Sequence, residues 1–230
     1  MAHEQFFYTT QIDNDILLLS GQEHQHISRV MRKKKGDHVW VSNGKGITFH
    51  TQILDIDKES TRCRILKSYP RLGEPANNVS LAVGMIKPAH WEILLEKAVE
   101  LGVHDIYPLS SRYTVIPNIK RERNEKILLS ALKQCGRSYL PVLREPMSFK
   151  DFIIQKRNEV LLICDNQDDY PMLEAASDTR DYIVLIGPEG GFTKEEVHLA
   201  IEHHAKPVLL SNRRLRTETA CLSALARLVV

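Results

Sequence analysis

The chain has 230 residues, 43% of them hydrophobic and 26% charged, with 31 basic against 29 acidic side chains and a formal net charge of +2. This composition can bury one or two packed cores and excludes a disordered or collagen-like chain. Four cysteines at 63, 135, 164 and 221 form no CxxC pair, and no apolar run approaches the roughly 18 residues of a membrane span, so a soluble chain in a reducing, cytoplasmic setting without structural zinc is expected.

Up to about residue 72 the apolar pattern is short and alternating. DILLLSG, HVWVSNGKG, ITFHTQILDID and STRCRILKSYP are separated by turn signals at Gly21, Lys35-Gly36-Asp37, Asn43-Gly44 and Asp57-Lys58-Glu59, which predicts strands of a small β-barrel. One helix is expected over GQEHQHISRVMR, where Ile27, Val30 and Met31 share a face. It runs into a basic segment holding Arg29, Arg32, Lys33, Lys34 and Lys35, a candidate phosphate-binding surface that could equally be a solvated face. Phe6 and Phe7 read as core, with stacking on a nucleic-acid base as the alternative for an exposed ring. His24 and His26 lack a third ligand at metal spacing and read as surface or barrel residues. PRLGEPANN, with Pro70, Gly73 and Pro75, reads as a linker and sets the boundary between domains 1–72 and 73–230.

Beyond the linker, strands and helices alternate. VSLAVGM is followed by a helix over PAHWEILLEKAVELG with Trp91, Leu94, Leu95, Ala98 and Leu101 on one side. DIYPL precedes a helix over RNEKILLSALKQCG. VLLIC, YIVLI and PVLLS are strands, and KEEVHLAIEHH and ETACLSALARLVV are helices. Nearly continuous apolar strands between helices predict a mostly parallel sheet covered on both faces, with ligands at the carboxyl ends of its strands.

Two strand ends carry unusual loops. IGPEGGFTKEE places Gly187, Gly190 and Gly191 between a strand and a capping box of Thr193 and Glu196, which allows close approach to backbone N–H groups. It has no phosphate-loop pattern and it includes Glu189, so either a neutral or cationic ligand is expected there or the loop is a tight strand-to-helix turn that binds nothing. LLSNRRLRTETACLSALA crowds Arg213, Arg214 and Arg216 at a helix N-terminus, against the helix dipole. A purely structural account is that Glu218 pairs with an arginine and Thr217 caps the helix. In QCGRS, Arg137 follows the helix end at Gly136, where a cation suits the dipole whether or not it contacts anything else.

Together IGPEGGFTKEE, RLRTETA, KAVELGV, QCGRS, the Phe6-Phe7 pair and HISRVMRKKKGD resemble the RsmE family of ribosomal RNA methyltransferases, in order along essentially the whole chain. The resemblance implies a PUA-like RNA-binding barrel followed by a SPOUT α/β domain with a trefoil knot, assembled as a homodimer. It implies transfer of the methyl of S-adenosylmethionine to N3 of one uridine in small-subunit ribosomal RNA, without a metal. Three strand-end loops would hold the cofactor, after Cys164, Ile186 and Leu210. The residues carried over are Ile186, Gly187, Glu189, Gly190, Gly191, Leu210, Ser211, Asn212, Arg213, Leu215 and Thr219.

Arg216 would stabilise charge on the uracil, and Glu218 would act as base or orient the arginine. Arg29, Arg32, Lys33, Lys34, Arg112 and Arg137 would meet RNA or, for Arg137, a partner subunit. The chain departs from the family pattern at Gln5, where Arg is usual, at Ser211, where Gly is usual, and at Arg214, where an aliphatic residue is usual. The last helix, with Ala220, Leu222, Leu225 and Leu228, is expected to place apolar surface against a second subunit. A methyltransferase acting on transfer RNA and a non-catalytic RNA-binding assembly factor remain alternatives at this stage.

Overall fold

The computed structural model describes residues 5–114, 120–166, 169–176, 178 and 180–229. The chain forms two compact units, one of residues 1–74 with 129–140, the other of residues 75–128 with 141–230.

In the first unit the elements are β1 (Phe6–Tyr8), β2 (Ile12–Asp13), β3 (Ile16–Ser20), α1 (Gly21–Gln25) with a π-helical turn over His26–Val30, β4 (His38–Ser42), β5 (Ile47–Ile56) and β6 (Ser60–Pro70). They make a six-stranded sheet in the order β1-β4-β5-β6-β3-β2, with β1 parallel to β4 and the other pairs antiparallel. Alternation sorts its side chains: Leu17 and Leu19 of β3, Val39 and Val41 of β4 and Ile53 of β5 point to one face and bury with Phe7, Ile27, Phe49 and Cys63. Thr9, just after β1, links β4 to β3, its N–H donating to Ser42 O and its hydroxyl to Leu18 O. The predicted helix is present but splits at His26 into the wider π turn, which ends at Val30 with Met31 as its C-cap and is followed by Arg32 at φ +51.

The second unit contains β7 (Val79–Gly84), α2 (Pro88–Glu100), β8 (Val103–Ser110), the start of α3 (Arg121–Cys135), β9 (Val142–Leu143), β10 (Met147–Ser148), α4 (Phe149–Ile153), β11 (Val160–Cys164), β12 (Tyr182–Ile186), α5 (Lys194–Glu202), β13 (Lys206–Val208) and α6 (Thr217–Leu228). Every strand pair is parallel, in the order β10-β8-β7-β12-β11-β13, with β9 added beside β8. All residues of β7 and β12 are buried, as strands covered on both faces require. Ile183, Leu185, Leu161 and Ile163 pack on one face against Phe149, Phe152, Val197 and Ala200 from α4 and α5. Helices α2 and α6 pack on each other, α2 also against β8 and α6 against β12 and β7. Asn77 Nδ2 ties the end of α6, donating to Leu228 O at 2.7 Å. The last residue of the predicted terminal helix, Val230, lies outside the described residues.

Of the four apolar residues of α6 from which a second-subunit contact was expected, Ala220, Leu225 and Leu228 are buried within the chain, where α6 packs on α2 and the sheet, and Leu222 is half-buried.

Candidate functional site

Since the sheet is parallel, the carboxyl ends of β11, β12 and β13 open on the same edge. The loops leaving them enclose a cavity of about 290 Å³. Cys164, Asp165 and Asn166 come from the first loop, Ile186 to Phe192 from the second, and Leu210, Ser211, Arg213, Arg214 and Leu215 from the third, with Thr217 and Ala220 of α6 closing the wall.

The central loop is built by close backbone packing. Gly191 N–H donates to Pro188 O at 2.8 Å, closing a turn. The reciprocal capping box then starts α5, Thr193 N–H donating to Glu196 Oε2 at 2.9 Å and Glu196 N–H to Thr193 Oγ1 at 3.2 Å. A Cβ on Gly187 would stand 2.6 Å from the Gly191 carbonyl carbon, so the two ends of the turn touch as backbone only. Gly191 itself has φ +74, and a Cβ there would meet nothing within 4 Å. It borders the cavity, so its missing side chain leaves backbone open to a ligand.

Three further bonds fix this turn. Thr217 Oγ1 donates to Gly187 O at 3.0 Å, Arg214 Nη2 to Glu189 O at 3.2 Å, and Lys87 N–H, at the N-terminus of α2, to Glu189 Oε1 at 3.4 Å. The Glu189 carboxylate thus faces the positive end of a helix dipole. The cavity wall carries both signs of charge, Asp165 and Glu189 with Arg213 and Arg214. Burial pushes the thiol of Cys164, a residue of the cavity wall, up to about 12, against the pull of Arg227 and with a small push from Asp165, so it is neutral at pH 7.

Of the residues expected to hold a cofactor, Ile186, Gly187, Glu189, Gly190, Gly191, Leu210, Ser211, Arg213 and Leu215 line this one cavity. Asn212 and Thr219 do not; both are exposed, Thr219 on α6. Arg214 stands in the wall, and its bond to Glu189 O gives the unusual arginine a structural use. Asp165, Asn166 and Phe192 also line it: the first two begin the loop expected after Cys164 and Phe192 lies in the IGPEGGFTKEE motif, though none was singled out as a residue.

The residues expected to act on the substrate flank the cavity at the start of α6. Arg216 is the N-cap, exposed, and no side-chain bond caps the helix there. Two structural expectations are corrected: Thr217 does not cap the helix but reaches back to Gly187, and Glu218 pairs with His90 Nδ1 at 3.0 Å rather than with an arginine. The reason is packing. Helix α6 lies on α2, which brings the first turn of each together.

Among the residues expected to meet RNA, Arg29, Arg32 and Lys34 are exposed and Lys33 is half-buried, around the end of the π turn. Arg112 is exposed, its N–H donating to Glu196 Oε1 at 2.9 Å. Arg137 differs. Its side chain is 4% exposed and its Nη2 meets Glu74 Oε2 at 2.7 Å, so this cation is spent on an internal partner and offers no face to a phosphate. Among the described residues, no three His, Cys, Asp or Glu side chains gather at metal-binding spacing, and no helix is long and apolar enough to cross a membrane.

A family model for an RNA methyltransferase domain matches residues 73–229, and one for an RNA methyltransferase PUA domain matches residues 19–66. A ribosomal RNA small subunit methyltransferase E from Synechocystis is 32% identical over 225 residues, covering 94% of this chain and 73% of that protein. The chain belongs to the ribosomal RNA small subunit methyltransferase E family. The family member from Buchnera aphidicola of Schizaphis graminum is 30% identical over 234 residues, with 97% and 93% of the two chains covered. The crystal structure of the Neisseria gonorrhoeae family member, bound to S-adenosyl methionine, matches with a TM-score of 0.88 at 26% identity, covering 97% of this chain and 96% of that one.

Proposed function

We propose that the cavity at the ends of β11, β12 and β13 holds S-adenosylmethionine, and that the chain methylates N3 of a uridine in small-subunit ribosomal RNA. The observation that carries this reading is the Gly187–Gly191 turn, which lines the cavity with three glycines, so that backbone and not side chain meets a ligand there. The wall fits the cofactor in kind as well. Apolar Ile186, Leu210, Leu215 and Ala220 suit an adenine and a thioether-like chain, and acids and arginines stand ready for an amine and a carboxylate. When bound, S-adenosylmethionine supplies an activated methyl group, so the protein's share is orientation and charge.

Arg216, exposed at the N-cap of α6, would stabilise negative charge on the uracil as its N3 proton leaves. Glu218, held by His90, is the nearest carboxylate along the chain to take or relay that proton. Arg29, Arg32, Lys33, Lys34 and Arg112 would position the RNA through phosphates. In this reading residues 1–72 are the PUA-like barrel that docks RNA and residues 73–230 a SPOUT domain, knotted, working as a cytoplasmic homodimer. Insertion of β12 between β7 and β11 and return of α6 onto β12 and β7 support the SPOUT assignment.

Calorimetric titration with S-adenosylmethionine, followed by methylation of small ribosomal subunits and of transfer RNA with mapping of the modified uridine, tests this. Cofactor binding with a single modified uridine in small-subunit RNA is expected. Absence of cofactor binding would leave a non-catalytic RNA-binding protein, and methylated transfer RNA would move the substrate.

A further inference from the structure

The turn after β8 puts an aromatic ring at the rim of the cavity. Tyr113 is 53% exposed, so much of a large aromatic ring stands in water. Its base is nevertheless fixed. A Cβ added to Gly190, a residue of the cavity wall, would stand 2.8 Å from Tyr113 Cβ and 3.0 Å from its Cγ, so Tyr113 seats directly on the glycine. The turn around it is closed by Thr114 N–H to Ser111 O at 3.1 Å and Ser111 N–H to Thr114 Oγ1 at 2.9 Å. One carboxylate joins it to the central loop: Glu196 accepts Arg112 N–H on Oε1 at 2.9 Å and Thr193 N–H on Oε2 at 2.9 Å. The ring is therefore held to the same α5 start that shapes the Gly187–Gly191 turn, while much of its surface stays in water.

A ring exposed, anchored and set beside a methyl-donor cavity has the form of a stacking platform. Single-stranded RNA is recognised largely by bases laid on aromatic faces, and each such contact is sequence-tolerant because every base has a π face. A base that must present N3 has to leave its own stack and needs a new surface to lie on. The neighbouring Arg112 is exposed and adds a cation of the right sign for the adjoining phosphate. We propose that Tyr113 stacks on a nucleobase of the RNA substrate, the target uridine or its neighbour, and so positions it at the cavity. This rests on the RNA methyltransferase reading above, which it deepens.

The test compares Tyr113→Ala and Tyr113→Phe with the unaltered protein in three measurements: affinity for a fluorescent single-stranded RNA carrying the target uridine, affinity for S-adenosylmethionine, and methylation kcat/KM. The alanine variant should lose roughly 5- to 150-fold in RNA affinity, the range for one base–aromatic stack, and a similar factor in kcat/KM. Its cofactor affinity should stay within twofold. The phenylalanine variant should behave like the parent, because the face and not the hydroxyl is used. RNA affinity within twofold of the parent in Tyr113→Ala would overturn the proposal. So would an equal loss of cofactor affinity, which would make Tyr113 a cavity wall, or a change of sedimentation coefficient with RNA affinity intact, which would make it a subunit contact. RNA affinity is read without cofactor, so failure of the parent to methylate would sink the enzyme reading while leaving this comparison decisive.

Discussion

Glu74 and Arg137 form a buried ion pair whose disruption should unfold the first unit before the second. Their side chains are 5% and 4% exposed. Glu74 Oε2 accepts Arg137 Nη2 at 2.7 Å and Nε at 3.1 Å, while Oε1 accepts the N–H groups of Ser138 and Tyr139, each at 2.8 Å. Ser138 O in turn accepts Gly46 N–H at 2.9 Å and Ser42 Oγ at 3.1 Å, so the carboxylate ties the 137–139 turn to the hairpin of β4 and β5.

Glu74→Gln keeps the shape and one carbonyl oxygen but turns an amide N–H₂ toward Arg137, donor against donor, and leaves a buried cation without its countercharge. Removing one partner of such a pair costs about 3–5 kcal/mol. At about 4–8 °C per kcal/mol for a unit of this size, its transition should fall by at least about 12 °C. The two tryptophans make the assay local, since Trp40 lies in the first unit and Trp91 in the second. In a Trp91→Phe background, urea unfolding followed by Trp40 fluorescence should show the full loss for Glu74→Gln. Arg137→Met should cost less, because the carboxylate keeps its two backbone donors, and the double variant should cost less than the sum. A Trp40 transition moved by under 1 kcal/mol in Glu74→Gln would refute the reasoning. Arg137→Met with normal stability but weakened RNA binding would return Arg137 to the RNA surface.

Gly191→Val should abolish S-adenosylmethionine binding in calorimetry while the Trp40 transition stays unchanged, because Gly191 borders the cavity and holds a φ of +74 that a branched residue avoids, so the turn that lines the cavity must change shape. Arg32→Gly should raise stability in urea by about 1 kcal/mol by relieving a left-handed backbone at φ +51, while flattening the salt dependence of RNA binding by about 0.7 to 0.9 in the log–log slope. Arg216→Ala should lower the methylation rate at saturating RNA and keep most RNA affinity, the signature of a group that acts in the transition state. Burial pushes the Asp105 carboxyl up, but hydrogen bonds from His104 and Arg144 outweigh it and hold it below the usual carboxylate range. Its stabilisation is therefore complete above about pH 4 and lost as pH falls through the lowered value, so acid unfolding curves of Asp105→Asn should be flatter below pH 4 than those of the parent.

The contrast between what sequence reveals and what it hides follows from the distance over which each interaction acts. The capping box of Thr193 and Glu196 spans three residues, and the apolar runs of β7, α2, β11 and β12 repeat within a few residues, so both the parallel sheet and its loop could be read directly. β1, three residues long, carries too few positions for a period and exists because β4 pairs with it in parallel. The residues 129–140 join the first unit although they follow half a helix of the second, and no local pattern announces that.

Charged side chains are the extreme case. Arginine and glutamate declare their chemistry but not their destination: Glu74 finds Arg137 63 positions away, Arg144 finds Asp105 39 away, and Glu218 takes His90 from another helix. That is why Arg137 looked like an RNA contact and Glu218 like a partner for its neighbouring arginines. Arg216 stands in the same motif yet stays exposed. A cation left in water at a helix N-terminus, where the dipole disfavours it, gains nothing for the fold there, and a negative charge arriving with the substrate is what would repay its placement.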